Sequence, residues 1–249
     1  LQGVDLTIPS GEFVAVVGTN GAGKTTLVQA IAGVVRPPRD TVRIAGLDPA
    51  RATGGALSAR DGFVFQNPEH QFVTQTVRDE LAYGPRSSGL PPEEIDRRVD
   101  DLLDRFGLTD AAEVNPFLLS GGQKRRLSVG TALIGGARVL VLDEPTFGQD
   151  RARADELVGL LSALHRDGAT IIVVTHDLQL VAEAASSVVV LADGRLVAHA
   201  STAAVLADDE LLRRAGLRPP PLARAMRRMK RHPLWRGITR MGDLPGGDS

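Results

Sequence analysis

Cysteine is absent from the 249 residues, which excludes disulfides, zinc-thiolate centres and thiol nucleophiles together and is compatible with a reducing compartment. Long apolar runs are absent too. The longest, such as "TIIVV" and "VVVLA", fall far short of the ~18 residues that cross a bilayer. Neither sign of charge dominates: 29 basic against 30 acidic residues leave a net charge of -1, so the chain as a whole has no electrostatic bias toward nucleic acid or membrane. Any membrane link therefore runs through a partner or a local surface. No secretory signal opens the chain, and Leu1 in place of Met predicts that the natural start lies upstream. Internal repeats and long heptad runs are also missing.

What is present alternates. Short β-rich runs, "EFVAVVG", "TVRIAG", "GFVFQ", "RVLVLDE", "TIIVVTH" and "SVVVLADG", are separated by helical spacings. The spacings are Leu27, Ala30, Ile31, Val34, then Ile95, Val99, Leu102, Leu103, Phe106, then Leu157, Leu160, Leu161, Leu164. This order predicts an α/β domain with a mostly parallel sheet, and Asp193-Gly194 marks a hairpin that adds a small antiparallel element. The stretch 68–136 carries no strong strand and reads as an inserted helical subdomain. The expected division is a core of 1–67 and 137–206, a helical part at 68–136 and a basic extension at 207–249. Between Leu211 and Gly242 that extension has ten Arg or Lys and no Asp or Glu.

"GTNGAGKT" follows an apolar strand and opens a helix. Glycines let backbone N–H groups curl around an anion, and a helix N-terminus adds partial positive charge. Gly18, Thr19, Asn20, Gly21, Ala22, Gly23, Lys24, Thr25 and Thr26 are thus the candidate nucleotide-binding loop. Lys24 suits the terminal phosphates, and the Thr25 hydroxyl suits Mg²⁺. In "VLVLDEP", Asp143 is placed to hold the Mg²⁺ shell and Glu144 to act as general base toward water. Gln66 and His176 each end an apolar run. In open parallel sheets, ligands bind beyond the carboxyl ends of strands, so Gly18, Gln66, Asp143 and His176 converge on one nucleotide. Gln66 is then a candidate for Mg²⁺ or the water, and His176 for the terminal phosphate.

These motifs together resemble the nucleotide-binding subunits of ATP-binding cassette (ABC) transporters, over nearly the whole stretch 1–206. "GTNGAGKT" matches the Walker A loop, Gln66 the Q-loop, "LSGGQ" the signature, "VLVLDE" the Walker B strand, "FGQD" through Asp150 the D-loop, and His176 the switch histidine. The resemblance implies a P-loop NTPase fold, ATP with Mg²⁺, and ATP hydrolysis. It also implies head-to-tail pairing with a second cassette, identical or a sister. Ser120, Gly121, Gly122 and Gln123 of one chain would then cap the phosphate held by Lys24 of the other, with Asp150 beside them. Two phosphate-binding motifs in one chain become two halves of one composite site.

"FQNPEHQFVTQTVRDELAYG" is similar to the matching stretch of energy-coupling factor and cobalt-type importers, which implies uptake of a vitamin or metal-ion type solute. Glu69, His70, Gln71, Phe72 and Val73 become candidates for contact with an integral membrane subunit, and the chain is expected at the cytoplasmic face of the membrane. The family stacks adenine on an aromatic residue well upstream of the Walker A loop. Here only Phe13 precedes Gly18, in the strand itself, so no such residue is assigned. Gln149 is polar where relatives are usually apolar. The basic extension has three readings: anionic lipid or membrane partner, nucleic acid, or a solvated segment. Competing functions are a soluble ABC ATPase on ribosomes or nucleic acid, and a regulatory ATP-binding module without turnover. No direct nucleic-acid contact is expected.

Overall fold

The computed structural model describes residues 1–218, so most of the basic extension lies outside the described residues. Six strands form one sheet in the order β2-β3-β4-β1-β5-β6. They are β1 (Phe13–Val17), β2 (Asp61–Val64), β3 (Val139–Asp143), β4 (Thr170–Val174), β5 (Ser187–Ala192) and β6 (Arg195–Ser201). The first five in sequence pair in parallel, and β6 runs antiparallel to β5. The helices are α1 (Lys24–Ile31), α2 (Gly54–Ser58), α3 (Val77–Ser87), α4 (Pro92–Arg105), α5 (Gly121–Leu133), α6 (Arg151–Arg166), α7 (Leu178–Ala184), α8 (Thr202–Ala207) and α9 (Asp209–Arg214).

Central strands of a parallel sheet are covered on both faces, so their sequences are apolar at every position rather than at alternate ones. In β1, Phe13, Ala15 and Val17 belong to one core, while Val14 and Val16 belong to the other. The second core is closed by Leu27 and Val28 of α1. The first is larger and continuous: Leu140 and Ile171 of the sheet share it with Ile95, Val99 and Leu103 of α4 and Leu127 of α5. No strand forms between Pro68 and Leu133. Gly62 is the close contact between sheet and helices there, since a Cβ on it would lie 2.3 Å from the Ala132 carbonyl oxygen. Glycine lets α5 rest directly on β2.

The hairpin at Asp193-Gly194 forms as predicted, with φ of 49° and 73°, the left-handed pair that a two-residue turn between twisted strands requires. Two expectations fail locally. "TVRIAG" makes only an isolated bridge between Ile44 and Leu47, because Ala45 and Gly46 take φ of 45° and 83° and turn the chain back at once. Val34 leaves the α1 stripe and is exposed, because Gly33 at φ 67° ends the helix before it.

Asp61, at the start of β2, is buried, and its Oδ1 has no hydrogen-bond partner. Burial raises its carboxyl pKa from 3.8 to about 7. The folded carboxyl thus holds its proton more tightly than the unfolded one. Its contribution favours the fold at acid pH and is lost as pH rises from 3.8 through about 7. Asp61→Asn should raise the unfolding free energy near pH 8 by about 1–3 kcal/mol, because the neutral amide stays uncharged where the buried carboxyl must ionise. Urea titrations on both sides of neutrality check this; a variant with the wild-type pH slope would show that Asp61 is not the source.

Candidate functional site

The phosphate loop connects β1 to α1. Gly18, Gly21 and Gly23 have φ of 150°, 82° and 94°. A Cβ on Gly18 would lie 2.2 Å from the Leu191 carbonyl oxygen of β5, so this glycine is required by contact as well as by conformation. The Gly194 N–H donates to the Ala22 carbonyl at 3.2 Å, bracing the loop against the hairpin. Lys24 begins α1 and is buried; its Nζ donates to the carbonyls of Gly18 at 2.9 Å and Thr19 at 3.0 Å. The ammonium is therefore held inside the loop that is to surround an anion. Thr19, Asn20, Gly21, Thr25 and Thr26 are exposed along its mouth.

The Thr25 hydroxyl donates to Asp143 Oδ1 at 3.3 Å, joining the first turn of α1 to the end of β3. Burial pushes the Asp143 carboxyl upward, while the Thr25 hydrogen bond and the Lys24 charge pull it down. A hydroxyl and a carboxylate at a helix start are the hard oxygen donors that Mg²⁺ takes when phosphates complete its shell. Among the described residues no group of three His, Asp or Glu could hold a metal alone. The Thr25 hydroxyl and the Asp143 carboxylate fit a nucleotide-bound Mg²⁺, which they would hold.

Glu144 follows Asp143 and takes φ 46°, a left-handed conformation that is costly for a residue with a side chain. Its N–H donates to the Val174 carbonyl at 2.9 Å. Its carboxylate is 13% exposed, with Oε2 2.8 Å from Nδ1 of His176, whose ring is 63% exposed. The strained turn aims the carboxylate off the strand end and toward the histidine. Gln66 lies two residues beyond β2 and is exposed. Since β2, β3, β4 and β1 are neighbours, Gln66, Asp143, Glu144, His176 and Gly18 share one rim. A cleft of 610 Å³ runs from Thr25 and Asp143 past Gln66 to Gly121 and Gln149. Gln149 has a buried carbonyl oxygen without a partner, and nothing in the structure explains it.

The signature stretch starts α5 with a capping box. Ser120 Oγ accepts from the Gln123 N–H at 3.3 Å, and Gln123 Oε1 accepts from the Ser120 N–H at 3.0 Å. Ser120 and Gly121 are exposed, so this helix start faces outward. Asp150 caps α6 by accepting from the Arg153 N–H at 3.0 Å.

The five candidate partner-contact residues do not share one role. Glu69 Oε1 pairs with Lys124 of α5 at 2.5 Å. Gln71 Nε2 donates to Thr131 Oγ1 at 2.7 Å. Phe72 is buried, edge-on to Phe117, and is a core residue rather than a surface contact. His70 is exposed, and Val73 is 63% exposed. Phe117 and Leu118, exposed just ahead of the signature, were not singled out from the sequence. The apolar run "FLL" before the cap was their only signal. Arg125, buried behind Gln66, was missed as well.

The ABC transporter family model matches residues 1–147. The energy-coupling factor transporter ATP-binding protein EcfA of Methanothermobacter thermautotrophicus is 37% identical over 232 residues, covering 92% of this chain and 75% of that protein. Among solved structures, CbiO1 from Clostridium perfringens, part of the ABC transporter complex CbiONQ, superposes with a TM-score of 0.74. It is 33% identical, with 91% of each chain covered. The ATP-binding cassette MJ0796, a dimer in a post-hydrolysis state with ADP and Pi bound, gives a TM-score of 0.70 at 27% identity, over 80% of this chain and 89% of that one. The match over more than half of the sequence, on a P-loop core of mixed, mostly parallel sheet, means that the chain belongs to the ABC transporter family and is one of its ATPases.

Proposed function

We propose that this chain is the ATP-hydrolysing subunit of a membrane importer for a small solute of vitamin or metal-ion type, and that it works as one half of a head-to-tail pair of cassettes. The observation that carries the pairing is the outward-facing helix start at Ser120, whose hydroxyl and Gly121–Gly122 backbone suit an anion while the lysine for that anion lies in a separate loop of the chain. A second cassette supplies the missing half. The energy-coupling factor and CbiO resemblances support the importer class, and the EcfA and CbiO proteins support a partner in the membrane. No helix of the described residues is long and apolar enough to cross a membrane. The importer reading has the chain attach peripherally, at the cytoplasmic face. The exposed Val73 together with Glu69 and His70 is the proposed contact, extended by Phe117 and Leu118.

In this reading Lys24 leaves its loop carbonyls for the terminal phosphates of ATP, and Gly18–Gly23 surround them with N–H groups. When bound, Mg²⁺ neutralises charge on those phosphates. Thr25, Asp143 and Gln66 are its proposed holders. Glu144 takes the proton of the attacking water, and His176, at 2.8 Å, fixes the carboxylate's direction and reaches the terminal phosphate from its exposed side. The helical part at 68–136 presents the signature to the partner, and the core at 1–67 and 137–206 holds the nucleotide.

Glu144→Gln keeps the shape but cannot accept a proton. Mg-ATP should still bind, while turnover falls by ~10²–10⁴, the usual worth of a general base. Near-normal hydrolysis would remove Glu144 from the chemistry. Ser120→Arg should leave Mg-ATP binding to the single chain intact and abolish both turnover and ATP-dependent pairing, read by light scattering in the Glu144→Gln background. Pairing that survives the arginine would refute the composite site.

A further inference from the structure

Arg125 of α5 is 3% exposed, and burial alone lowers its pKa to about 10, so it stays charged at neutral pH. Its Nη1 donates to the Phe65 carbonyl at 2.7 Å and its Nη2 to the Gln66 carbonyl at 2.7 Å. Its Nε is buried with no partner, and none of the ion pairs among the described residues includes it. A buried cation without a counter-ion is a poor way to fill a core, and an apolar side chain of similar size is usually at least as stable there. The fork nevertheless grips the two peptides at Gln66. The following residues are fastened to the same helix, Glu69 through Lys124 at 2.5 Å and Gln71 through the Ser128 carbonyl at 3.1 Å. Arg125 holds the backbone of Gln66 itself.

Ser120 caps the start of the same helix. A helix is stiff over so short a distance, so a shift of the Gln66 peptide moves the signature with it. We propose that Arg125 is a positioning residue that locks the peptide of Gln66 to the helix capped by Ser120, so that the Mg-nucleotide met by the Gln66 side chain in one cassette sets how its signature is offered to the nucleotide of the other. This rests on the composite-site reading above. Coupling of this kind makes the two sites of a pair depend on one another, although each nucleotide is held chiefly by its own phosphate loop.

The test compares Arg125→Met and Arg125→Lys with the wild-type full chain in its assembled complex. Thermal midpoint, affinity for a fluorescent ATP analogue with Mg²⁺, and steady-state hydrolysis are measured. Arg125→Met removes an unpaired buried charge, so the midpoint should hold or rise, analogue affinity should stay within about twofold, and kcat should drop about tenfold. Arg125→Lys keeps one prong and should recover part of that loss. Turnover within about twofold of wild type in Arg125→Met would overturn the proposal, as would a loss of midpoint and affinity in step with turnover. Failure of both variants to fold would also overturn it, by making Arg125 a core determinant. Ser120→Arg, run alongside, separates the causes: normal turnover there sinks the composite site itself, whereas a dead Ser120→Arg beside a normal Arg125→Met sinks only the link.

Discussion

The parallel register of three adjacent strands is the constraint on which the site depends. Asp143 of β3 lies opposite Val174 of β4, and Val174 lies opposite Val16 of β1. These strands are buried on both faces, so their relative height cannot slip without exposing apolar side chains or stranding backbone groups. The carboxyl ends therefore finish level, and the polar residues that follow each strand meet at one rim. The Thr25–Asp143 hydrogen bond and the Glu144 N–H to Val174 carbonyl bond are consequences of that alignment.

Around the rim, charge has been buried with few partners. Lys24 is satisfied by carbonyls of its own loop, Asp143 by one hydroxyl, and Arg125 by two carbonyls next to Gln66. Each arrangement leaves bonding capacity unused, which is expensive in a fold that owes its stability to packed Val, Leu and Ile. A triphosphate with Mg²⁺ is the ligand that would use the capacity of Lys24 and Asp143. Glu144 adds backbone strain to the same small region. Stability has been given up locally where the turn directs a largely buried carboxylate toward His176, and it is restored by the two continuous cores on either face of the sheet.

The strands and the phosphate loop were legible because their signals are local. Buried parallel strands read as unbroken apolar runs, and the glycine spacing of Gly18, Gly21 and Gly23 reports backbone conformations that few other residues adopt. "TVRIAG" shows the limit: its composition suits a strand, but Ala45 and Gly46 turn the chain before any neighbour can pair with it. Phe72 and Val73 are adjacent and both apolar, yet one is core and the other surface. Phe72 packs into the main core and meets Phe117 edge-on, while Val73 faces outward, a difference that tertiary packing decides.

The sequence by itself determined the alternating α/β order, the loop that cradles phosphate, the carboxylates and the second, signature phosphate motif, because each is written in consecutive residues whose backbone preferences and chemistry travel with them. Tertiary structure alone decided what those pieces do to one another. His176 meets Glu144 across 32 positions of sequence, and Arg125 grips Gln66 across 59. Such contacts depend on strand order and on helix α5 lying against β2 at Gly62, which no local pattern encodes. They exist because burying two apolar faces of one sheet leaves the chain few ways to pack, and the packing it takes brings distant polar residues to the same edge.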